Sequence, residues 1–519
     1  MPISKPNISV SKLSALAEQG NTAQKILVIG GMTSAGTATS GALKAAITEP
    51  GQAETFFGIR SQAADMIREI LKLNKKTRID AIGLSDVVTD AFAAGVVTFT
   101  GTVTVAGVIT VVVGSSVNRK YAISVTVGMT AAQCATALAA LLAADTRAPF
   151  TGSATDGAVT ITMANKGIEG NATVLKVYDD TVQRGLAWAL TAFASGTGQP
   201  VMTSVLDVVG DARYQTIVAP YGFGTAYLIT FLDARWNVNN AIRDGVAVLC
   251  KTDTYANLIT LGGTLNSKGL VVFGDKALTD ADHKSSANAE QDYIKAAQFG
   301  AIRALRLTED ADISQFVTSS TGALDAFGGA AIASLPYFNT PMINLPLFED
   351  NYAGFTGAQA DALRDVGISC FGNNVAATAV ICGEVVTTYK TDSSGAVDTT
   401  WKYLETVDTA SAAGEFIFNN LKADYSQCRL TTGDLIPGRA MANAESITAG
   451  FLGYCGTLAG PDYVLVQAGE DALNYIKRNL VIAITMAEGK VTLTGHLPLV
   501  TQVRSMIVPL KMVLTSVSA

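Results

Sequence analysis

The sequence predicts a mixed α/β, multidomain protein: an α/β core interrupted by a β-rich insert, then an α+β C-terminal region, with extended arms at both termini. Three observations predict it. Short apolar runs alternate with amphipathic helical stretches near the N-terminus, this rhythm breaks near residue 90, and the same rhythm resumes past residue 200. A break followed by resumption is the mark of one domain inserted in a loop of another. The chain of 519 residues is also too long for a single ordinary core.

Taken in order, residues 1–24 read as an arm, through Asn7-Ile8-Ser9-Val10-Ser11. The run 25–31 is a short strand of the fully buried kind. Residues 62–73 follow as a helix with Ala63, Met66, Ile67 and Ile70 on one side, and 78–84 as a second strand. These open a core expected over 25–90 and 200–378. The insert, 91–199, begins with alternating strands across 96–127, continues with an Ala-rich helix at 130–144, and returns to strands at 158–163 and 172–177. Beyond Pro200 the α/β rhythm gives strands at 216–220, 246–251 and 269–273, and helices at 225–236, 255–266 and 287–305. A third region, 379–499, is expected to start with a strand at 380–389, a turn at 391–395 and a returning segment at 401–407. Helices then follow at 410–425, 443–459 and 470–479, before terminal strands and an arm at 500–519.

Composition removes several function classes. Charged residues make up 16% of the chain, below the roughly 25% of typical soluble domains, and mean hydropathy is positive. Much surface is therefore expected to be buried against partners. The uncharged run 91–118 alternates Thr98, Thr100, Thr102 and Thr104 with Val97, Phe99, Val103 and Val105, a strand pattern rather than a bilayer helix. A second, 330–348, holds Pro336, Pro341 and Pro346 and cannot be one helix. No membrane insertion is expected. A net charge of −7 gives no basic footprint, so nucleic acid is not an expected partner. Nothing at Met1 reads as a secretory signal. The six cysteines lack CxxC spacing and are expected to be reduced and buried.

Searching for chemistry yields little. Gly30-Gly-Met-Thr-Ser-Ala-Gly36 follows a strand but lacks both the GxGxxG spacing and a GK[ST] ending, so it reads as a Gly-rich exit from the strand. His283 and His496 fall in different predicted regions, and neither has a second histidine at ligand spacing; His283 reads as part of an exposed helix start. Glu309, Asp310 and Asp312 match no Ca²⁺ loop. No catalytic residue, metal or cofactor is expected. Two surfaces stand out instead. Helix 470–479 buries a stripe of Leu473, Ile476 and Leu480, leaving Asn474, Lys477 and Arg478 outside, either to dock an acidic partner or to complement the helix dipole. The tail places Met506, Val508, Leu510, Met512 and Leu514 on one strand face, interrupted by Arg504 and Lys511, with Pro509 favouring an edge position. Such a strand needs a partner, either a sheet of its own domain or that of a neighbouring copy.

Several pieces in this order resemble the Mu-type contractile phage tail sheath proteins. They are Lys25-Ile-Leu-Val-Ile-Gly30 with Ala53-Glu-Thr-Phe-Phe-Gly58, Gly101-Thr-Val-Thr-Val105, Asn165-Lys-Gly-Ile-Glu-Gly-Asn171, Gly196-Thr-Gly-Gln-Pro200, Thr216-Ile-Val-Ala-Pro-Tyr221, Val386-Thr-Thr-Tyr-Lys-Thr-Asp392 with Gly395, and Leu497-Pro-Leu-Val-Thr-Gln-Val-Arg504. The resemblance spans nearly the whole chain, and the stretch 437–461 departs from it. It implies a non-catalytic structural subunit of the virion tail, made in the host cytoplasm. Stacked six-fold rings of it would surround a tail tube, with the tube, baseplate and tail terminator proteins as partners. Contraction would drive the tube through the host envelope. It further implies that the arms add strands to neighbouring copies, through Ile8, Val10, Val503, Met506, Val508, Leu510, Met512 and Leu514, and that Asn474, Lys477 and Arg478 face the tube. Another self-assembling surface or adhesin-type protein, binding through the Thr/Val-rich insert, is the alternative, and an α/β enzyme is a more distant one.

Overall fold

Strand β1 (Lys25–Met32) is an unbroken apolar run after its first residue, and every position from Ile26 to Met32 is buried. A strand buried on both faces belongs inside a parallel sheet covered by helices on each side. The computed structural model, which describes residues 24–114, 119–179, 185–200, 202, 205–236, 243–277, 283–284, 290–308, 337, 342, 354–373, 379–460, 465–486 and 490–500, places it there. Its parallel neighbours are β3 (Arg78–Ser85) and β11 (Thr216–Val218). The sheet continues through β12 (Val246–Asp253), β13 (Leu270–Lys276) and β15 (Ile368–Asn373), all parallel. Antiparallel strands β2 (Leu43–Ile47) and β16 (Ala379–Cys382) close its two edges, giving the order β16-β15-β13-β12-β11-β1-β3-β2. The sheet thus crosses the division expected at residue 379.

The two faces carry separate cores. Ile26 and Val28 point into one, with helices Pro50–Phe57, Gln62–Leu73 and Asp292–Thr308; Leu27 and Ile29 point into the other, with Thr225–Arg235, Tyr255–Thr264 and Gly357–Asp365. Helix Gln62–Leu73 has the expected limits. Ser61 caps it by accepting from Ala64 N at 3.1 Å, and Ala63, Met66, Ile67 and Ile70 are buried. Gly30 now has a packing reason: a Cβ there would lie 2.9 Å from Ala63 Cα, so the glycine lets this helix sit directly on β1.

Between β3 and β11 the chain builds a second body. Strands β4 (Phe92–Gly101), β7 (Phe150–Thr155), β8 (Ala158–Lys166) and β10 (Leu186–Ala194) form one sheet, ordered β10-β4-β8-β7. A second contains β5 (Gly107–Val113), β6 (Lys120–Val125), β9 (Leu175–Asp179) and the two-residue β14 (His283–Lys284), ordered β14-β9-β5-β6. His283 therefore lies in a strand paired with Lys176, not at a helix start; the edge of β9 recruits this backbone into its ladder. Helix Ala131–Ala144, with a capping box between Thr130 and Gln133, shares a single core with both sheets. Ala91 and Thr197 form a β-bridge, so the segment between them leaves and rejoins the core at one place, while β14 reaches this body from farther along the chain.

Polar contacts seat the insert on the core. Asn165 accepts from Gln62 N at 3.0 Å and donates to the Met32 carbonyl at 3.1 Å, tying β8 to both helix Gln62–Leu73 and β1. Asp65 on that helix accepts from Arg119 at 2.9 and 2.8 Å and from Arg68 at 3.0 Å. Burial alone would raise the Asp65 carboxyl, but Arg119 and Arg68 hold it below its ordinary value. A depressed carboxylate contributes its stabilisation above its unfolded value of about 4 and loses it only as pH falls through the lower folded one.

The region after β16 differs from expectation. The strand expected over 380–389 stops at Cys382, because Gly383 turns the chain with a φ of +76°. The returning segment expected over 401–407 is instead the start of a 22-residue helix, Leu404–Tyr425. Leu404 and Val407, three apart, are buried together in the first core, which fixes the helical period there. The Val386–Tyr403 bridge is the paired remnant. Two ion pairs lock this helix in place, Arg303 with Asp408 at 2.5 Å and Arg213 with Glu415 at 2.6 Å.

Replacing Arg119 by Ala leaves the buried Asp65 short of its main partner and is expected to lower the unfolding free energy by about 3 kcal/mol in a urea titration. Changing the exposed neighbour Lys120 to Ala should shift it by less than about 0.5 kcal/mol.

Candidate functional site: the C-terminal surface

Beyond helix Leu404–Tyr425 a small separate core forms. Phe416 and Ile417 meet Cys455 and Leu458 of helix Ala444–Leu458, and Leu465, Val466 and Ile476 complete the cluster. Asn443 caps the second helix by accepting from Ser446 N at 2.9 Å. The parallel pair β17 (Arg429–Leu430) and β18 (Met441–Ala442) spans the loop between these helices.

Helix Glu470–Asn479 lies on this core with the limits read from the sequence. Ile476 is buried and Leu473 partly so, while Asn474, Lys477 and Arg478 are exposed. The spacing i, i+3, i+4 puts those three on one face. Arg478 Nε donates to the Asn474 carbonyl at 3.2 Å, whereas Lys477 has no partner among the described residues. Glu470 and Asp471 occupy the first turn and Lys477 and Arg478 the last, so the charges also complement the dipole. The exposed surface of the last turn is therefore basic, with the acids Glu470 and Asp471 at the other end of the same face.

After this helix come β19 (Val481–Thr485) and β20 (Lys490–Thr494), an antiparallel pair whose side chains alternate between exposed and half-buried. Among the described residues they form a two-stranded sheet with neither outer edge paired. Such a ribbon is marginal alone, and its edges present free backbone donors and acceptors. The sequence signal for it is the alternation in Val481-Ile-Ala-Ile-Thr485 and Lys490-Val-Thr-Leu-Thr494, which fall within the expected terminal strands. The chain then folds back: Gln467 N donates to the Pro498 carbonyl at 2.8 Å and Val500 N to that of Leu465 at 3.0 Å. The start of the tail is thus tied to its own domain. Ile8, Val10, Val503, Met506, Val508, Leu510, Met512 and Leu514 all lie outside the described residues.

Elsewhere, some buried charges pair with one another. Lys295, fully buried, pairs with Asp275 and with Asp292 at 3.2 Å. Tyr475 Oη lies 3.4 Å from His496 Nδ1. Among the described residues no three His, Cys, Asp or Glu side chains gather as a metal site, and no helix is long and apolar enough to cross a membrane. The free cysteines at 134, 250, 370 and 455 are buried, while those at 382 and 428 are half-buried, a departure from uniform burial. The acidic group at 309–312 lies outside the described residues.

Comparison with known proteins points to one class, the tail sheath proteins, which the chain resembles in sequence. The particular relative is the Mu-like prophage FluMu tail sheath protein of Haemophilus influenzae, 26% identical over 264 residues, a match covering 50% of this chain and 53% of that protein. The chain thus spans about half the length of the curated relative it matches. No protein-family model matches. Two solved structures are matched at low identity and with TM-scores below 0.5. One is a sheath tail protein from Listeria innocua, with a TM-score of 0.45, 12% identity, and coverage of 94% of this chain and 95% of that one. The other is a chain of the anti-feeding prophage baseplate, with a TM-score of 0.37, 9% identity, and coverage of 62% and 77%.

Ile476→Ala, which empties the small C-terminal core, should lower stability by about 2–4 kcal/mol in urea. The exposed pair Lys477→Glu with Arg478→Glu, which opposes the helix dipole, should lower it by only about 1 kcal/mol.

Proposed function

We propose that this chain is a non-catalytic structural subunit of a contractile tail sheath, made in the host cytoplasm and built into the virion tail. The observation that carries the reading is the 264-residue match to a tail sheath protein. It is joined by the seven ordered sequence pieces, which run beyond that match. In this reading copies stack as six-fold rings around a tail tube, with 379–499 innermost and 91–199 outermost. Baseplate and tail terminator proteins cap the ends. Contraction is a rotation and outward movement of subunits into a lower-energy packing.

Linkage between copies fits the described C-terminal surface. Among the described residues the outer edges of the β19–β20 ribbon are unpaired, and Val500 is tied to Leu465 of the same small core. A tail strand, through Val503 to Leu514, or an arm strand, through Ile8 and Val10, would extend that ribbon in a neighbour. Each added backbone hydrogen bond contributes roughly 1 kcal/mol net, so several together hold while flanking chain hinges. Asn474, Lys477 and Arg478 would face an acidic tube surface.

Deleting 503–519 should leave a folded, soluble monomer that forms no tubes in electron micrographs; tubes of normal length from the truncated chain would rule out linkage by the tail. Lys477→Glu with Arg478→Glu should preserve sheath-only polymers and reduce co-sedimentation with tube protein at low salt. Undiminished co-sedimentation would remove these residues from the tube contact.

A further inference from the structure

At the outer edge of the eight-stranded sheet, β15 and β16 run antiparallel in a register that sets Cys370 directly opposite Cys382. Facing residues in such a pair have Cα atoms about 4.5–5.5 Å apart, within the roughly 4.4–6.8 Å that a disulfide spans. Both side chains occupy one face. Gly372 shares the face of Cys370 by the two-residue period, and a Cβ there would lie 3.3 Å from Cys382 Cβ and 3.6 Å from its Sγ. The Cys370 thiol in turn points at the Cys382 carbonyl, 4.0 Å away. The glycine thus leaves open space beside the Cys382 sulfur on the face it shares with Cys370.

The pair is chemically unsymmetrical. Cys370 is buried and Cys382 half-buried. Arg364, in the last turn of helix Gly357–Asp365, donates from Nη1 to the Cys382 carbonyl at 3.2 Å. Its guanidinium lies over Gly383, where a Cβ would come within 2.3 Å of Nη1. A hydrogen bond from Cys370, with Arg364 nearby, pulls the Cys382 thiol down to about 6, while the same hydrogen bond and burial push Cys370 up. One sulfur is the accessible nucleophile, and the other waits behind it with a proton.

We propose that Cys370 and Cys382 are an oxidisable cross-strand pair, which a small hydroperoxide closes into a disulfide that staples the edge strand β16 to the core sheet. The Cys382 thiolate attacks the peroxide, its sulfur being oxidised to a sulfenic acid while the O–O bond breaks and hydroxide leaves. The Cys370 sulfur then attacks, the S–S bond forms, the S–O bond breaks, and the Cys370 proton departs with the oxygen as water. The staple fixes the chain where it leaves the sheet for Val385, Val386 and helix Leu404–Tyr425, both valines being buried.

The test treats the native full-length chain with hydrogen peroxide, quenches it, and alkylates under denaturing conditions. Two of the six thiols should be lost, with a mass decrease of 2 Da before alkylation, and peptide mapping should link Cys370 to Cys382. With Cys370→Ser, a sulfenic acid at Cys382 should instead be trapped by dimedone. In the untreated protein at pH 7, Cys382 should alkylate at least tenfold faster than Cys428, the other half-buried cysteine, and Arg364→Gln should reduce that advantage. Six alkylatable thiols after peroxide, a linkage through any other cysteine, or first oxidation at Cys428 would overturn the assignment.

Discussion

The whole architecture depends on β1 having to be buried on both faces. Ile26 and Val28 need cover on one side and Leu27 and Ile29 on the other, so no single helical layer suffices. The cover comes from helices before and far beyond the insert. Even the start of β1 is satisfied at long range, with Lys25 N donating to Gln215 Oε1 at 3.0 Å. Because β11 must reach β1 to complete the sheet, the intervening residues have to loop out and return to one point. The ends of the insert are therefore brought together by the closing of the central sheet.

Charge is scarce in this chain, and buried ion pairs sit in the seams between its parts. Arg119, Asp65 and Arg68 join insert to core; Arg303 with Asp408, and Arg213 with Asp244 and Glu415, join core to helix Leu404–Tyr425. Buried ion pairs contribute little net stability because of desolvation, yet breaking one is severe. Directional pairs of this kind admit one seating of each body on the next, whereas apolar seams tolerate sliding.

Legibility followed the strength of the local signal. Helices Gln62–Leu73 and Glu470–Asn479 were readable to the residue, since each has a clear apolar stripe between distinct ends. The alternating Thr and Val of β4 announced the insert. Helix Leu404–Tyr425 was misread at its start because Tyr403 offers no side-chain cap and Thr406 and Val407 are β-branched, so only tertiary burial settles that turn. The short elements β2, Pro50–Phe57 and Gly357–Asp365 carry too few residues to show a period and went unread. At the surface, the exposure of Asn474, Lys477 and Arg478 was legible as the back of the Ile476 stripe. The facing of Cys370 and Cys382 was not, because it depends on a strand register that sequence spacing does not encode.

The bridge between Ala91 and Thr197 has a consequence for how such a chain can diversify. A body whose two ends meet at a single doorway imposes no length requirement on what lies beyond it. Any folded unit with neighbouring termini could be exchanged there while β1, β3 and β11 keep their places. The doorway is thus a natural graft point, where the inserted body can be enlarged or replaced without rewriting the central sheet.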